Sequence, residues 1–556
     1  MTAVEKQSDQ VGPFGPFGSG AAFLILITFL AYLPALDGEF IWDDDAYVVD
    51  NATLSDLDGL RRIWFEVGAT PQYYPMVFSS YWLENQIYGR QPFHFHLVNI
   101  CLHLLNAFLL VRVLSLLRVP GAFLAGALFA VHPVAVESVA WISERKNVLS
   151  TAFYLLAMLC YLRFLELPGT DGMGGKGGEG GKGSRKFGYA ATWLSFAAAL
   201  LSKSVTASLP FAVLLLTWWK RGRLVLRDWL LAVPFLAAGV LMTARTAWVE
   251  ANIVGTEKIA VGLSLLERVA VAGRALWFYL GKLLLPLDLT FIYPRFDLSE
   301  FAWWQPAAPL LAVLLALSLY GLRRRIGRGP LVAALFFGGT LVPALGFVDF
   351  FPMIYSYVAD HFQYLAMLGP LALFGALLVR ALGGTNSRRL WLAAGALLFA
   401  SSFQTWRHCH AFQSTRALFE DTLEKNPDAV MASINLANMA ARETHDLSRS
   451  HQLLMRAKQV DPALVHPLVR AKLEYAIGSN LVDAGRHDEG IQHFVKAREI
   501  FPHFWDPVFA IGRALALKGD LEGAVAQFEL MLKYIPDHQP TREWLARTRE
   551  RLRQRN

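Results

Sequence analysis

Residues 21–45 read AAFLILITFLAYLPALDGEFIWDDD. The run Ala21–Leu36 carries no charged side chain, and behind it come Glu39 and the consecutive carboxylates Asp43, Asp44 and Asp45. A helix needs about 20 residues to cross the hydrocarbon core of a bilayer. The run has no basic stretch directly before it and no convincing small-residue cleavage site after it. It therefore reads as a retained span rather than a signal peptide. An all-α, polytopic membrane fold is the expectation.

The same pattern recurs down the chain. Apolar runs at 21–36, 95–117, 121–134, 147–165, 189–204, 206–219, 228–247, 303–322, 330–346, 358–380 and 390–406 give about 11 expected spans in a domain covering 21–406. The composition agrees, with 54% hydrophobic residues, only 17% charged and a mean hydropathy of +0.35 over 556 residues. Soluble domains are nearer 25% charged. The net charge of +7 does not point to nucleic acid, because Lys and Arg gather in short runs between apolar stretches, as orientation signals do. Cys101, Cys160 and Cys409 are odd in number and far apart, which makes neither a disulfide framework nor a metal set. They read as core packing.

Orientation follows from the basic joints. Arg118, then Arg163 with Lys176, Lys182, Arg185 and Lys186, then Lys220, Arg221, Arg223 and Arg227 follow alternate runs. Arg323, Arg324, Arg325 and Arg328, and later Arg380, Arg388 and Arg389, mark two more joints. Placing all of them in the cytoplasm puts the tail 1–20 inside and the first loop, 37–93, outside. Leu263–Leu285 breaks the alternation if it spans. With Glu267, Arg274 and Lys282 near one helical face, it reads as an amphipathic interfacial helix. The stretch Gly169–Gly183 reads as a flexible loop.

From 410 to 556 the character changes to soluble helices. Ala484, Gly485, Phe494, Ala497 and Pro502 are followed by Gly512, Gly519, Ala524, Phe528 and Pro536 at tetratricopeptide (TPR) spacing. A short extracytoplasmic α-solenoid is expected, in which each hairpin buries its apolar face against the next.

Three loops carry chemistry. The Asp43–Asp45 run is costly at a membrane face, and its carboxylates can act as a base for a hydroxyl, hold a divalent cation, or form a solvated acidic loop. The joint His132–Asn147 contains Glu137 and Glu144, two helical turns apart, beside Arg145 and Lys146. Cations there can hold a phosphate leaving group, or Arg and Glu can simply pair. Lys203, in Leu201-Ser202-Lys203-Ser204, sits at the outer end of a span, where it can bind or snorkel. Asp360 and His361 open the run 358–380.

Taken in order, the acidic loop, His132-Pro133 with Glu137-Ser138-Val139-Ala140-Trp141, then Glu144-Arg145-Lys146-Asn147, the Leu-Ser-Lys turn and the trailing repeats resemble the TMTC-type membrane proteins. These are transmembrane and tetratricopeptide-repeat O-mannosyltransferases of the GT-C superfamily, with bacterial relatives. The resemblance covers nearly the whole chain and implies a polyprenyl-phosphate sugar donor, inversion at the anomeric carbon, and catalysis by an acidic pair that falls on Asp43 and Asp44. Donor phosphate would meet Arg145, Lys146, Lys203 and His361, the last standing where bacterial relatives carry Arg. Trp42, Asp45, His132, Glu137, Glu144 and Asp360 would support them. No metal or other cofactor is expected. The implied partners are the lipid-linked donor, membrane lipids and a protein acceptor in the repeat groove. The implied setting is a bacterial inner membrane, the implied sugar mannose, and the implied acceptor a Ser or Thr hydroxyl. The competing expectation is a non-enzymatic, membrane-anchored TPR scaffold for envelope or glycan assembly.

Overall fold

The computed structural model describes residues 19–165, 182–249, 261–298 and 305–555. The tail 1–18 and most of the Gly-rich stretch, 169–181, lie outside these. Every regular element among the described residues is helical. In the first region these are α1 (Ser19–Tyr32), α2 (Leu57–Phe65), α3 (Pro75–Tyr88), α4 (Pro92–Leu116), α5 (Ala122–Ala130), α6 (Val136–Ala140), α7 (Arg145–Phe164) and α8 (Lys182–Leu200). They continue with α9 (Leu209–Arg221), α10 (Leu226–Val249), α11 (Leu265–Leu284), α12 (Ala307–Leu322), α13 (Gly329–Leu341), α14 (Leu368–Ala381) and α15 (Arg388–Cys409).

Each apolar run read from the sequence falls on one of these helices, but among the described residues fewer reach spanning length. Ser19–Asp37, Pro92–Leu116, Ile142–Phe164 and Leu226–Val249 are long and apolar enough to cross a membrane. Ala122–Ala130 with Pro133–Ala140 makes a further span only as a pair bent by 51°. The break follows from His132-Pro133, since Pro removes an N–H donor and disfavours helix in the residue before it. The run 358–380 is likewise α-helical only from Leu368. Before it, a short 3-10 turn, Asp360–Gln363, carries Asp360 and His361 inward.

One large core joins α1, α4, α5, α7, α9, α14 and α15. Close approach of α5 and α14 depends on glycine. Gly121 has φ +73°, and a Cβ there would lie 2.7 Å from the Gly375 carbonyl oxygen. By contrast α12 is apolar on every side and buries no residue, leaving Leu310, Leu311 and Leu317 exposed. Such a surface is one that lipid covers. In α11 the expected charged stripe divides. Glu267 forms a capping box with Ser264, while Ala270, Val271, Ala275, Tyr279 and Leu283 face inward. Of the three cysteines, Cys409 is buried, Cys160 is half-buried and Cys101 is exposed, so core packing describes only the first.

The C-terminal region is built of α16 (Thr415–Lys425), α17 (Val430–Glu443), α18 (Leu447–Ala457), α19 (Pro467–Asp483), α20 (His487–Ile500), α21 (Asp506–Lys518), α22 (Leu521–Tyr534) and α23 (Gln539–Arg555). Short turns make successive helical hairpins of α17 with α18, α19 with α20, and α21 with α22. The packing repeats with the sequence. A Cβ on Gly478 would lie 2.7 Å from the Phe494 ring, and one on Gly512 would lie 2.6 Å from the Phe528 ring.

The first helices of this region do not pack only on their neighbours. Phe419 of α16 meets Trp42, with ring centroids 5.3 Å apart. Lys425 Nζ donates to the Leu289 carbonyl at 2.8 Å, and Asn426 Nδ2 donates to the Ile292 carbonyl at 3.0 Å. Ile354 completes the core formed by α17, α18 and α19. The expectation of hairpins that contact only each other is corrected at this end, because Trp42, Phe291, Ile292, Ile354 and Tyr355 of the first region pack into the clusters formed by these helices.

Candidate functional site

The loop after α1 turns sharply at Trp42, whose φ is +51°. Such a conformation strains a large side chain and needs surrounding packing to hold it. Phe291, Tyr355 and Phe419 provide that packing, their rings edge-on to the indole at 5.3–6.2 Å. The next two carboxylates then diverge. Asp44 is fully buried, its Oδ2 accepting the Ile41 N–H at 3.0 Å and its Oδ1 the Ser143 N–H at 2.7 Å. Burial pushes its carboxyl up to about 7, against the pull of those two donors. Asp43 stays half-buried beside Lys146, Glu144 and His361, and is raised chiefly by desolvation, with Lys146 pulling the other way. Asp45 is exposed and begins a short π-helical turn, Asp45–Val49.

Across from Asp43 lies a polar cluster drawn from three stretches. Glu144 Oε1 is 2.7 Å from Lys146 Nζ, and Glu144 Oε2 is 3.6 Å from Lys203 Nζ. Asn147 ties the cluster together. Its Nδ2 donates to Glu144 Oε2 at 2.6 Å and to the His361 carbonyl at 3.1 Å, while its Oδ1 accepts from Lys203 Nζ at 2.6 Å. Glu137 Oε2 accepts the His361 N–H at 2.8 Å, and Glu137 Oε1 lies 2.8 Å from His361 Nδ1. His361 Nε2 then faces Glu144 Oε1 at 3.9 Å. Behind it, Asp360 Oδ2 accepts the Tyr293 hydroxyl at 2.8 Å. Buried charges are tolerable only when paired and hydrogen-bonded in this way.

Three sequence-derived placements change. Arg145 does not join the cluster. It is fully buried and forms an ion pair with Glu84. It also donates to Asn99 Oδ1 at 2.7 Å and to the Phe95 carbonyl at 2.8 Å, with Tyr81 4.6 Å beneath its guanidinium. A phosphate has no access to it there. Glu137 and Glu144 do not share a helical face, because Trp141 is extended and separates α6 from the turn Ile142–Glu144. They converge through His361 instead. His132 stands apart, capping the turn Pro133–Ala135 and contacting the Leu283 carbonyl at 3.1 Å. Asn147 and Tyr293 were not singled out in the sequence. Asn147 follows Glu144 by three residues at the start of α7, a spacing that brings side chains together on a helix, and was the available signal. Tyr293 carried none.

The resulting arrangement is a half-buried carboxylate beside an ammonium group and an imidazole, with a second ammonium group held in the same cluster by Glu144 and Asn147. Such a set can take a proton from a hydroxyl and stabilise charge on a leaving anion.

No protein-family model matches the chain. Over 149 residues it is 32% identical to a mouse protein named protein O-mannosyl-transferase TMTC2, covering 25% of this chain and 18% of that protein. It is 35% identical over 159 residues to mouse protein O-mannosyl-transferase TMTC1, covering 26% and 17%. A Caenorhabditis elegans protein O-mannosyl-transferase, F38B6.6, is 28% identical over 158 residues, covering 26% and 23%. The chain thus has O-mannosyltransferases of the TMTC type as homologues over about a quarter of its length, and the match spans less than a quarter of those relatives.

Proposed function

We propose that this protein is a membrane glycosyltransferase of GT-C type that moves a sugar, mannose by its relatives' names, from a polyprenyl-phosphate donor to a hydroxyl acceptor. The observation that carries the reading is Asp43, half-buried beside Lys146 and His361, with Lys203 held to the same cluster through Glu144 and Asn147. In this mechanism Asp43 removes the proton of an acceptor Ser or Thr hydroxyl. The oxygen attacks the anomeric carbon from the face opposite the phosphate, so configuration inverts. The C–O bond to the phosphate breaks, and Lys146, Lys203 and His361 stabilise the departing phosphate's charge. Asp44 holds the loop rather than touching substrate. Charge stabilisation by these side chains requires no metal ion.

The hairpins after residue 410 act in this reading as a TPR solenoid that presents a protein acceptor on the same, extracytoplasmic side. Their docking through Trp42, the residue next to Asp43, supports that coupling.

The test is transfer by the purified full-length chain from polyprenyl-phosphate mannose to a Ser/Thr-rich peptide, with the product's anomeric configuration read by NMR. α-Mannosyl peptide from a β-linked donor is the expected outcome. No transfer from any lipid-phosphate sugar, with the chain folded and donor added in excess, would move the reading to the membrane-anchored scaffold.

A further inference from the structure

The far end of the helical bundle carries a second two-part cavity, unrelated to the Asp43 cluster. Along α7, Met158 lies about 18 Å from Lys146 at about 1.5 Å rise per residue. Met158, Leu114, Leu117, Leu216, Phe336 and Ala372 line an apolar cavity of about 160 Å³. Its lining contains one charged residue, Arg118, and no carboxylate. Trp219 also lines the neighbouring pocket, which is bounded by Trp218, Tyr320, Arg323, Arg324 and Arg328.

Those arginines are arranged by aromatics rather than by acids. The Arg328 guanidinium lies 5.4 Å from the Trp218 ring and Nη1 donates to the Trp219 carbonyl at 3.4 Å. Arg323 stacks on Tyr320 at 3.6 Å. Among the described residues no carboxylate pairs with Arg323, Arg324 or Arg328. A basic pocket without a paired carboxylate, joined at Trp219 to an apolar slot, matches the chemistry of an anionic lipid.

We propose that this composite cavity binds an anionic phospholipid of the surrounding leaflet, with an acyl chain among Leu117, Met158 and Phe336 and the phosphate on Arg323, Arg324 and Arg328. The occupant is a lipid rather than a free phosphate because the two halves share Trp219. The lipid would tie the α12–α13 turn to the end of α9, two elements otherwise joined there by Arg328.

The test uses the full-length chain in neutral detergent, with lipid retention read by native mass spectrometry and stability by thermal unfolding. Phosphatidylglycerol is expected to be retained and to raise the unfolding midpoint, phosphatidylcholine to do so much less, and glycerol phosphate not at all. Each arginine near a headgroup is worth about fivefold in affinity. The variant Arg323→Gln/Arg324→Gln/Arg328→Gln should therefore lose phosphatidylglycerol affinity by about 100-fold. If that variant does not fold, the exposed Arg324→Gln alone should cost about fivefold. Ala372→Phe, which fills the apolar half, should also reduce retention. Equal retention of the two lipids, an equal effect of glycerol phosphate, or unchanged retention in either the arginine or the Ala372 variant would overturn the proposal.

Discussion

Asp44 Oδ1 accepts the Ser143 N–H at 2.7 Å, joining the first loop to the turn that precedes α7. This bond separates the roles of three adjacent carboxylates. Asp43→Asn removes the candidate base with little change in size, so transfer should fall about 10²–10⁴-fold while the fold survives. Asp44→Asn places an amide where two N–H donors point. It should cost about 1–3 kcal/mol of stability by leaving a buried group unmatched. Asp45→Asn, on an exposed residue, should change little. Transfer, donor binding and thermal unfolding of the three variants are the measurements. Near-wild-type transfer in Asp43→Asn would sink the mechanism.

The two carboxylates also set opposite pH trends. Asp44 is raised to about 7 in the fold, against about 3.9 in an unfolded chain. The folded state therefore holds that proton more tightly. Between pH ~4 and ~7 its contribution to stability falls as pH rises. Asp43 is raised as well and acts only when ionised, so transfer should rise with pH along a limb displaced above the ordinary carboxylate range. Unfolding midpoints should decline from pH ~5 to pH ~7 and level off above it, and Asp44→Asn should flatten that decline. A midpoint that climbs over this range, in wild type relative to Asp44→Asn, would contradict the assignment.

Much of this organisation was legible in the sequence because it rests on local pattern. Apolar runs and the 34-residue spacing of Gly478 and Phe494 to Gly512 and Phe528 are read one segment at a time. The site was legible as a set of residue types but not as geometry. Asp43 and Asp44 become different only through the positive φ at Trp42, which depends on aromatics far along the chain. Arg145 and Lys146 are neighbours, yet successive residues at a helix start point about 100° apart. One meets Glu84 in the core and the other meets Glu144. The extended Trp141 undoes the helical spacing that seemed to align Glu137 with Glu144.

That divergence predicts unlike behaviour from two cations. Arg145→Ala leaves Glu84 buried without its partner, and breaking such a pair costs about 3–5 kcal/mol. The variant should express poorly and unfold early. Lys146→Gln keeps a polar group at the cluster's edge, so the chain should fold while transfer and donor affinity drop. Thermal unfolding beside a donor-binding assay distinguishes them. Loss of donor binding with full stability in Arg145→Ala would return that residue to the site.

Trp42 links the candidate site to the C-terminal hairpins, since its ring meets Phe419 of α16 while its backbone sets the direction of Asp43. Trp→Ala replacements in packed settings cost about 3–5 kcal/mol, and the half-buried Trp42 should fall at the lower end. The loss should be local. Hydrogen exchange should quicken in α16 and in residues 41–44, but not in α21 or α22, whose core is made with Trp544 and Leu545 of α23. Transfer should fall with it, although Trp42 has no atom that exchanges a proton with substrate. Trp42→Phe keeps an aromatic edge for Phe291 and Phe419 and should restore most of both signals. The measurement is exchange of the full-length chain in detergent, alongside transfer. Unchanged exchange in α16 after Trp42→Ala would show that Lys425 and Asn426 suffice to dock the hairpins, and that Trp42 serves the loop alone.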